Sequence, residues 1–364
     1  AIVLNTSCNI YNFRLGLVRS LIDKGHEIIA VAPFDDYSHK LKELGCKYEK
    51  VMMDSRGANP IKDFGLTIEL FRIYRRIKPD VILHFTIKPN IYGTFAAKLL
   101  GIPTINNVCG LGTVFLNRGI VSFVAKMMYK VAFRFPAKVL FQNDQDKKLF
   151  IDENLIHKDI AELIPGSGID LSKFIPVALP HNKEFTFLLI SRLIHDKGII
   201  EYIEAIKKLN KKGVRAKFQI LGAIDEEHRR GIPKDIIISW IDNNLIEYLG
   251  RVADVRNYIQ NADCIVLPSY REGTPRTLLE AAGMGRPIVT TNVAGCNNVV
   301  RDNYNGFLCN LKDVDDLAYK MEKMLNLSFK DRQVFGKNGR VLVEGSYDEK
   351  VVIDKYQELV NKVA

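Results

Sequence analysis

The chain has 364 residues, too many for one ordinary core, so two domains of about 150–200 residues are expected. With 47% hydrophobic and 26% charged residues it has the composition of a soluble globular protein, and no stretch reaches the ~18–20 apolar residues of a membrane-crossing helix. The net charge is +10 and unevenly spread. Residues 1–178 carry 24 basic and 17 acidic side chains, and from Val81 to Asn143 there is no acid at all. Such a basic face suits phosphorylated substrates, anionic lipid or nucleic acid.

Ile2-Val3-Leu4 reads as a strand rather than a signal peptide, and the missing initiator Met is expected of a trimmed chain. The first half alternates strand and helix patterns. Strands are expected at 2–5, 27–32, 48–52, 81–85, 104–108 and 138–141, with helices at 10–24, 36–44, 63–77, 91–100, 120–135 and 145–153. Turn-formers from Ile164 to Asp170, then Pro176 and Pro180, mark an inter-domain linker. This gives a first domain over 1–178 and a second over 179–347. The second series has strands at 185–191, 216–221, 246–249, 264–268, 288–290 and 306–309. Its helices fall at 198–211, 226–237, 255–261, 314–325 and 330–342, with a last one at 348–363. The fold class is α/β, two Rossmann-like domains of parallel sheet. Six scattered cysteines (Cys8, Cys46, Cys109, Cys264, Cys296, Cys309) form no C-x-x-C pair and are expected as small buried residues of a reducing cytoplasm.

Ligands of parallel sheets lie at the loops after the strands, so those loops supply the candidate site residues. After the first strand, Asn9, Asn12 and Arg14 are candidates for sugar or phosphate contacts; the loop lacks G-x-G-x-x-G. His84, Lys88 and Asn90 follow the 81–85 strand. In the 120–135 helix, Lys126, Lys130 and Arg134 recur at four-residue spacing, with Arg118 just before, among apolar bulk. This reads as an amphipathic basic helix at an anionic membrane surface, or as a core helix with one solvated lysine face. Asp144-Gln145-Asp146 has a D-x-D spacing but sits where helix caps are acidic. The seven histidines show no ligand spacing, so no metal is expected.

In the second half, Arg192 and Lys197 flank the start of the 198–211 helix, where fixed cations and helix amides make a diphosphate site. The stretch Glu272-Gly273-Thr274-Pro275-Arg276 opens another helix, with Thr274 as expected cap and Pro275 as first helical residue. Glu280 lies roughly 9 Å further along the axis at ~1.5 Å per residue. That spacing suits gripping two parts of one long ligand better than it suits a glycosidase pair.

The pattern Pro-Ser-x-x-Glu-Gly-x-Pro-x-x-x-x-Glu-Ala over 268–281 resembles the donor site of the retaining glycosyltransferases of family 4, which have the GT-B fold with a cleft between two domains. Lys88-Pro-Asn-x-Tyr-Gly, Gly110-Leu-Gly and Gly-Ser-Gly-Ile-Asp ending at Asp170 resemble its capsular-polysaccharide branch, which includes enzymes acting on undecaprenyl-diphosphate-bacillosamine. The resemblance implies that Glu272 contacts the transferred sugar and Glu280 the ribose. It also implies that Arg192 and Lys197, as two buried cations, neutralise the diphosphate in place of a metal, that the backbone near Val252 reads the base, and that the last helix returns to the first domain. The implied reaction moves a sugar, N-acetylgalactosamine by preference, from a UDP-sugar to an undecaprenyl-diphosphate-linked saccharide. It would run at the cytoplasmic face of a bacterial inner membrane, with no cofactor and no nucleic acid. Two positions depart from the family: Cys109 stands where many members have His, and Asn297-Asn298 where the branch commonly has Arg-Glu. A UDP-sugar 2-epimerase of the same fold, or a basic nucleic-acid-binding module, are the alternative classes.

Overall fold

The computed structural model describes residues 1–54, 60–111, 115 and 119–363. The chain divides into two compact units, Ala1–Ser167 with Glu349–Ala364, and Gly168–Asp348.

In the first unit the order is β1 (Ile2–Val3), α1 (Ser7–Asp23), β2 (Ile29–Ala32), α2 (Tyr37–Glu43), β3 (Lys47–Lys50), α3 (Pro60–Ile77) and β4 (Ile82–Phe85). A π-helical turn, Pro89–Gly93, then runs into α4 (Thr94–Leu100). β5 (Thr104–Val108), α5 (Ile120–Ala132), β6 (Lys138–Phe141), α6 (Asp144–Asp152) and β7 (Ala161–Leu163) complete the series. All strands pair in parallel, in the order β3-β2-β1-β4-β5-β6-β7. Alternate residues feed opposite faces, as the two-residue period of a strand requires. Ile2, Ala30, Leu83 and Phe85 pack with Ile10 and Leu17 of α1. Val3, Val31 and Ile82 pack with Leu70 of α3 and Ala96 of α4. β7 has three residues and lies just before the turn-formers that start at Ile164, where no strand is expected.

The second unit has β8 (Thr186–Ile190), α7 (Ile199–Lys211), β9 (Lys217–Leu221), α8 (Lys234–Asp242), β10 (Glu247–Tyr248), α9 (Arg256–Asn261) and β11 (Cys264–Leu267). It continues with α10 (Arg276–Gly283), β12 (Ile288–Thr291), α11 (Cys296–Val299), β13 (Gly306–Cys309), α12 (Val314–Leu325) and α13 (Phe329–Ser346). Its parallel sheet has the order β10-β9-β8-β11-β12-β13. Strands β8 and β11 are neighbours, yet α7 packs on one face with Phe187 and Leu189, and α10 on the other with Leu188 and Ile265. The chain therefore parts at the β8/β11 boundary, the place where doubly wound sheets hold ligands. The last helix, α14 (Glu349–Val363), joins the first unit: Gln357 Nε2 donates to Ser20 Oγ at 2.5 Å, and Asn107 Nδ2 to the Tyr356 hydroxyl at 2.7 Å.

Two expectations are corrected. Residues 168–178 belong to the second unit, not the first. Ile169 and Phe174 are buried in its core, and the fully buried Arg286 ties the segment down. Its guanidinium donates to the carbonyls of Val177 (3.0 Å), Ala178 (2.9 Å), Ile259 (2.9 Å) and Gln260 (3.0 Å). Prolines and turn-formers mark a linker but do not say which core receives its apolar residues. The helix expected at 226–237 is instead α8, starting at Lys234 after Pro233; Pro cannot sit inside a helix, and 222–233 is a loop.

Burial pulls the Arg286 guanidinium down to about 10, so it is still charged at neutral pH. Arg286→Ala removes four hydrogen bonds, one buried and three part-buried, with the packing of a buried side chain, and is expected to lower the second unit's stability by about 3 kcal/mol, read by urea unfolding.

Candidate functional site

Three connections meet at the C-terminal edge of the second sheet: 191–198 after β8, 268–275 after β11 and 292–295 after β12. Tyr270 N donates to the Asp196 carbonyl at 2.9 Å, and Glu272 N to the Ala294 carbonyl at 3.1 Å. Thr291 Oγ1 donates to the Ser269 carbonyl. Two glycines allow this approach. Gly198 has φ +69°, and a Cβ there would collide with the Pro268 carbonyl. Gly295 has φ +85°, and a Cβ would collide with the carbonyls of Glu272 and Gly273. Gly222 N donates to the Gly250 carbonyl at 2.8 Å, which sets the loop carrying Val252 along the same edge, with Val252 itself packed on the core.

The charged side chains at this edge come in pairs. Lys197 pairs with Glu272, their side chains 22% and 13% exposed. Ser269, fully buried, donates to the same Glu272 Oε1 at 2.7 Å. Arg276 Nε donates to Glu280 Oε1 at 3.0 Å, one helical turn on. Burial pushes the Glu280 carboxyl above its ordinary value, and Arg276 pulls part of the way back. Arg192 stands 3.6 Å from Asp225 Oδ2. The structure thus corrects the expectation of two buried cations: Arg192 is 57% exposed, and Lys197 is neutralised by Glu272. The start of α10 is corrected too. Pro275 is the cap, in extended conformation (ψ 114°), so Thr274 precedes the cap and the helix begins at Arg276. Gly273 is buried against Gly295.

Sequence reasoning missed Asp225, because the Asp225-Glu226-Glu227 run reads as a helix start. It also missed Tyr270, whose hydroxyl donates to Glu201 at 2.6 Å, and the 2.7 Å ion pair of Arg230 with Asp196. The loop after β9 and the position of Tyr270 next to Ser269 were the available signals.

In the first unit the candidates scatter. Arg14 is 5% exposed; its guanidinium lies 4.6 Å above the Phe85 ring and 3.8 Å from Cys109 Sγ. Its Nη1 is buried with no hydrogen-bond partner among the described residues. Asn12 is exposed, and Asn9 is held locally: its N–H donates to the cap residue Thr6 Oγ1 (3.0 Å) and its side-chain amide to Asn5 Oδ1 (3.1 Å). His84 and Asn90, expected at a ligand, are fully buried. His84 lies between Tyr74 (2.9 Å) and Asn106 (3.3 Å), and burial drives it down to about 3, so it is neutral. Asn90 donates to the Asn107 carbonyl at 2.8 Å. Both serve the sheet. Lys88 is paired with Asp63 at 2.6 Å, and both side chains are largely buried.

The basic helix differs from expectation. Lys126 donates to Glu153 at 2.7 Å, and Arg134 lies past the last residue of α5. The outward surface of α5 is apolar: Ile120 (83% exposed), Phe123 (66%), Val124, Met127 and Val131. Arg118 lies outside the described residues. At α6, the cap is Asn143, which accepts from Asp146 N at 2.8 Å and donates to the Asp146 carboxylate at 3.2 Å. Asp144-Gln145-Asp146 is therefore the first turn of a capped helix. Among the described residues no three His, Cys, Asp or Glu side chains come together as a metal site, and no helix is long and apolar enough to cross a membrane.

Comparison with known proteins places this geometry. Residues 172–342 match the family described as "Glycosyl transferases group 1", and residues 2–143 the one described as "Glycosyl transferase 4-like". The chain is 29% identical to the N,N'-diacetylbacillosaminyl-diphospho-undecaprenol alpha-1,3-N-acetylgalactosaminyltransferase of Campylobacter jejuni, over 99% of this chain and 97% of that one. It is 27% identical to the UDP-Gal:alpha-D-GlcNAc-diphosphoundecaprenol alpha-1,3-galactosyltransferase of Escherichia coli, over 84% and 81%. Among solved structures, the Anabaena HepE protein in complex with UDP and glucose superposes with a TM-score of 0.80 at 17% identity, covering 99% and 98% of the two chains; this likeness is one of fold. Each of the two units carries its own half of the match, and the chain belongs to the family 4, group 1 glycosyltransferases of GT-B fold.

Proposed function

We propose that this glycosyltransferase moves a sugar from a UDP-sugar to an undecaprenyl-diphosphate-linked saccharide, with retention at the anomeric carbon, at the inner face of a bacterial membrane. The observation that carries the reading is the Lys197–Glu272 and Arg276–Glu280 pairs at the β8/β11 boundary. The donor would lie along this edge. Arg192 and Lys197 take the diphosphate, Glu280 the ribose, and the backbone near Val252 the base. Gly273, Thr274, Pro275 and Arg276 form the turn beside the phosphates. Glu272, fixed by Ser269 and Lys197, holds the departing sugar. As the sugar–phosphate bond breaks, negative charge grows on the nucleoside diphosphate, and the Arg192 and Lys197 cations stabilise it without a metal. The leaving phosphate accepts the acceptor's proton on the same face, which gives retention. N-acetylgalactosamine is the proposed sugar, supported by the relative from Campylobacter jejuni.

The acceptor is proposed to bind at the first unit, where Arg14 beside Cys109 is the best-placed cation. The membrane contact is proposed to be the α5 surface. Its apolar residues Ile120, Phe123, Val124, Met127 and Val131 enter the headgroup region, and Lys130 and Arg134 meet anionic lipid.

Glu272→Gln is expected to lower turnover by about 10²–10³-fold while UDP affinity changes by only a few-fold; steady-state kinetics with calorimetry reads both, and equal losses in binding and turnover would refute the assignment.

Glu280→Gln is expected to weaken UDP binding by about tenfold or more. Because the Glu280 carboxyl is raised, wild-type UDP affinity falls as pH drops through a value above the ordinary carboxylate range, and the variant shows no such fall. Burial penalises the ionised form, so the carboxyl favours folding below its ordinary value and loses that contribution as pH rises through the raised one. The variant should therefore melt no lower than wild type at pH 7. Unchanged UDP affinity would remove Glu280 from the donor site.

Replacing both Phe123 and Met127 by Asp is expected to cut sedimentation with phosphatidylglycerol vesicles by about tenfold or more, with UDP affinity retained; full retention on vesicles would exclude α5 as the membrane face.

A further inference from the structure

Each of the three cations proposed to face the donor has its own carboxylate: Lys197 has Glu272, Arg276 has Glu280, and Arg192 has Asp225. The first two acids have work in the donor reading; Asp225 has none. The Arg192–Asp225 partners are unequal. Asp225 is 13% exposed, and its carbonyl accepts from His228 N at 3.0 Å. Its loop is bound to the segment after Arg192 by three backbone bonds: Leu193 N to Ala223 O (3.0 Å), Ile232 N to Leu193 O (3.1 Å) and His195 N to Arg230 O (2.9 Å). The Arg192 guanidinium is 57% exposed, and at 3.6 Å the contact is charge against charge rather than a tight hydrogen bond. The carboxylate is fixed, and the guanidinium is the half that can swing.

We propose that Asp225 is a positioning residue that competes with the donor's diphosphate for Arg192 and so limits how tightly the enzyme holds a nucleoside diphosphate. The proposal rests on the reading of Arg192 as a diphosphate ligand. A diphosphate that takes Arg192 away from Asp225 replaces one anion by another, and the carboxylate stays beside it as a like charge. Donor and product share the same diphosphate. A site that gripped it without opposition would hold the product after transfer, and tight uniform binding adds nothing to turnover. Asp225 sets the opposing charge and acts through Arg192.

The test is calorimetry on the full chain with UDP and with uridine as probes. Asp225→Asn is expected to bind UDP about 5–10-fold more tightly, a modest gain because the pair is partly exposed to water. Uridine, which has no phosphate, should bind the variant and the wild type alike. In an Arg192→Ala background the Asn substitution should give no tightening, as required if the effect passes through that guanidinium. Asp225→Ser is expected to behave like Asp225→Asn and serves if the amide variant does not fold. The proposal is overturned if either variant, melting as wild type does, binds UDP no more tightly, or if uridine gains equally. A wild-type chain with no affinity for UDP would instead overturn the donor reading beneath it, so the two failures are told apart.

Discussion

The boundary between β8 and β11 is the constraint on which the second unit's chemistry depends. The two strands are paired, so their own amides and carbonyls are satisfied. Their helices, α7 and α10, leave on opposite faces, which opens the sheet's edge between them. The charged side chains that gather there are largely buried and held in opposite-sign pairs, Lys197 with Glu272 and Arg276 with Glu280. The Lys197–Glu272 pair is the product: one partner from each connection, locked by Ser269 below and by the 292–295 turn behind.

The two units handle charge in opposite ways. At the second sheet's edge every proposed ligand-binding cation has an acid beside it, so an anionic ligand must displace a partner before it gains one. In the first unit Arg14 is buried against an aromatic ring and a thiol, with no acid along residues 81–143. Its Nη1 makes no hydrogen bond among the described residues, which favours an anion that reaches Cys109. The first arrangement favours exchange, the second favours capture.

Much of this was legible in the chain itself. The apolar runs at 186–190, 264–267 and 288–291 are strands buried on both faces, and such runs name themselves without tertiary knowledge. The Glu272-to-Glu280 motif sits on the turn and helix where its spacing placed it. What was not legible was partnership over distance. Nothing near Lys126 announces Glu153, 27 residues on, and nothing near Lys88 announces Asp63. His84 and Asn90 stand at a strand end, as ligand-binding residues do. They are polar for another reason: the first unit's interior holds Asn106 and Asn107 of β5 and Tyr74 of α3, which need partners of their own. The helix expected at 226–237 failed on one residue, Pro233, whose ring outweighs any acidic run before it. The linker's prolines were read correctly as a break, but the side on which Ile169 and Phe174 fall was decided by a pocket around Arg286 far along the sequence.

The return of α14 to the first unit makes that unit discontinuous in the chain. Tyr356, Leu359 and Val360 fill a core whose strands were laid down before residue 165. During synthesis the second unit, from Gly168 to Asp348, emerges whole and has every residue it needs to collapse. The first unit's core is complete only once α14 has been made as well. A fragment ending at Ser167 would therefore lack the Tyr356, Leu359 and Val360 side chains of its own core, whereas one running from Gly168 to Asp348 would keep all of its unit.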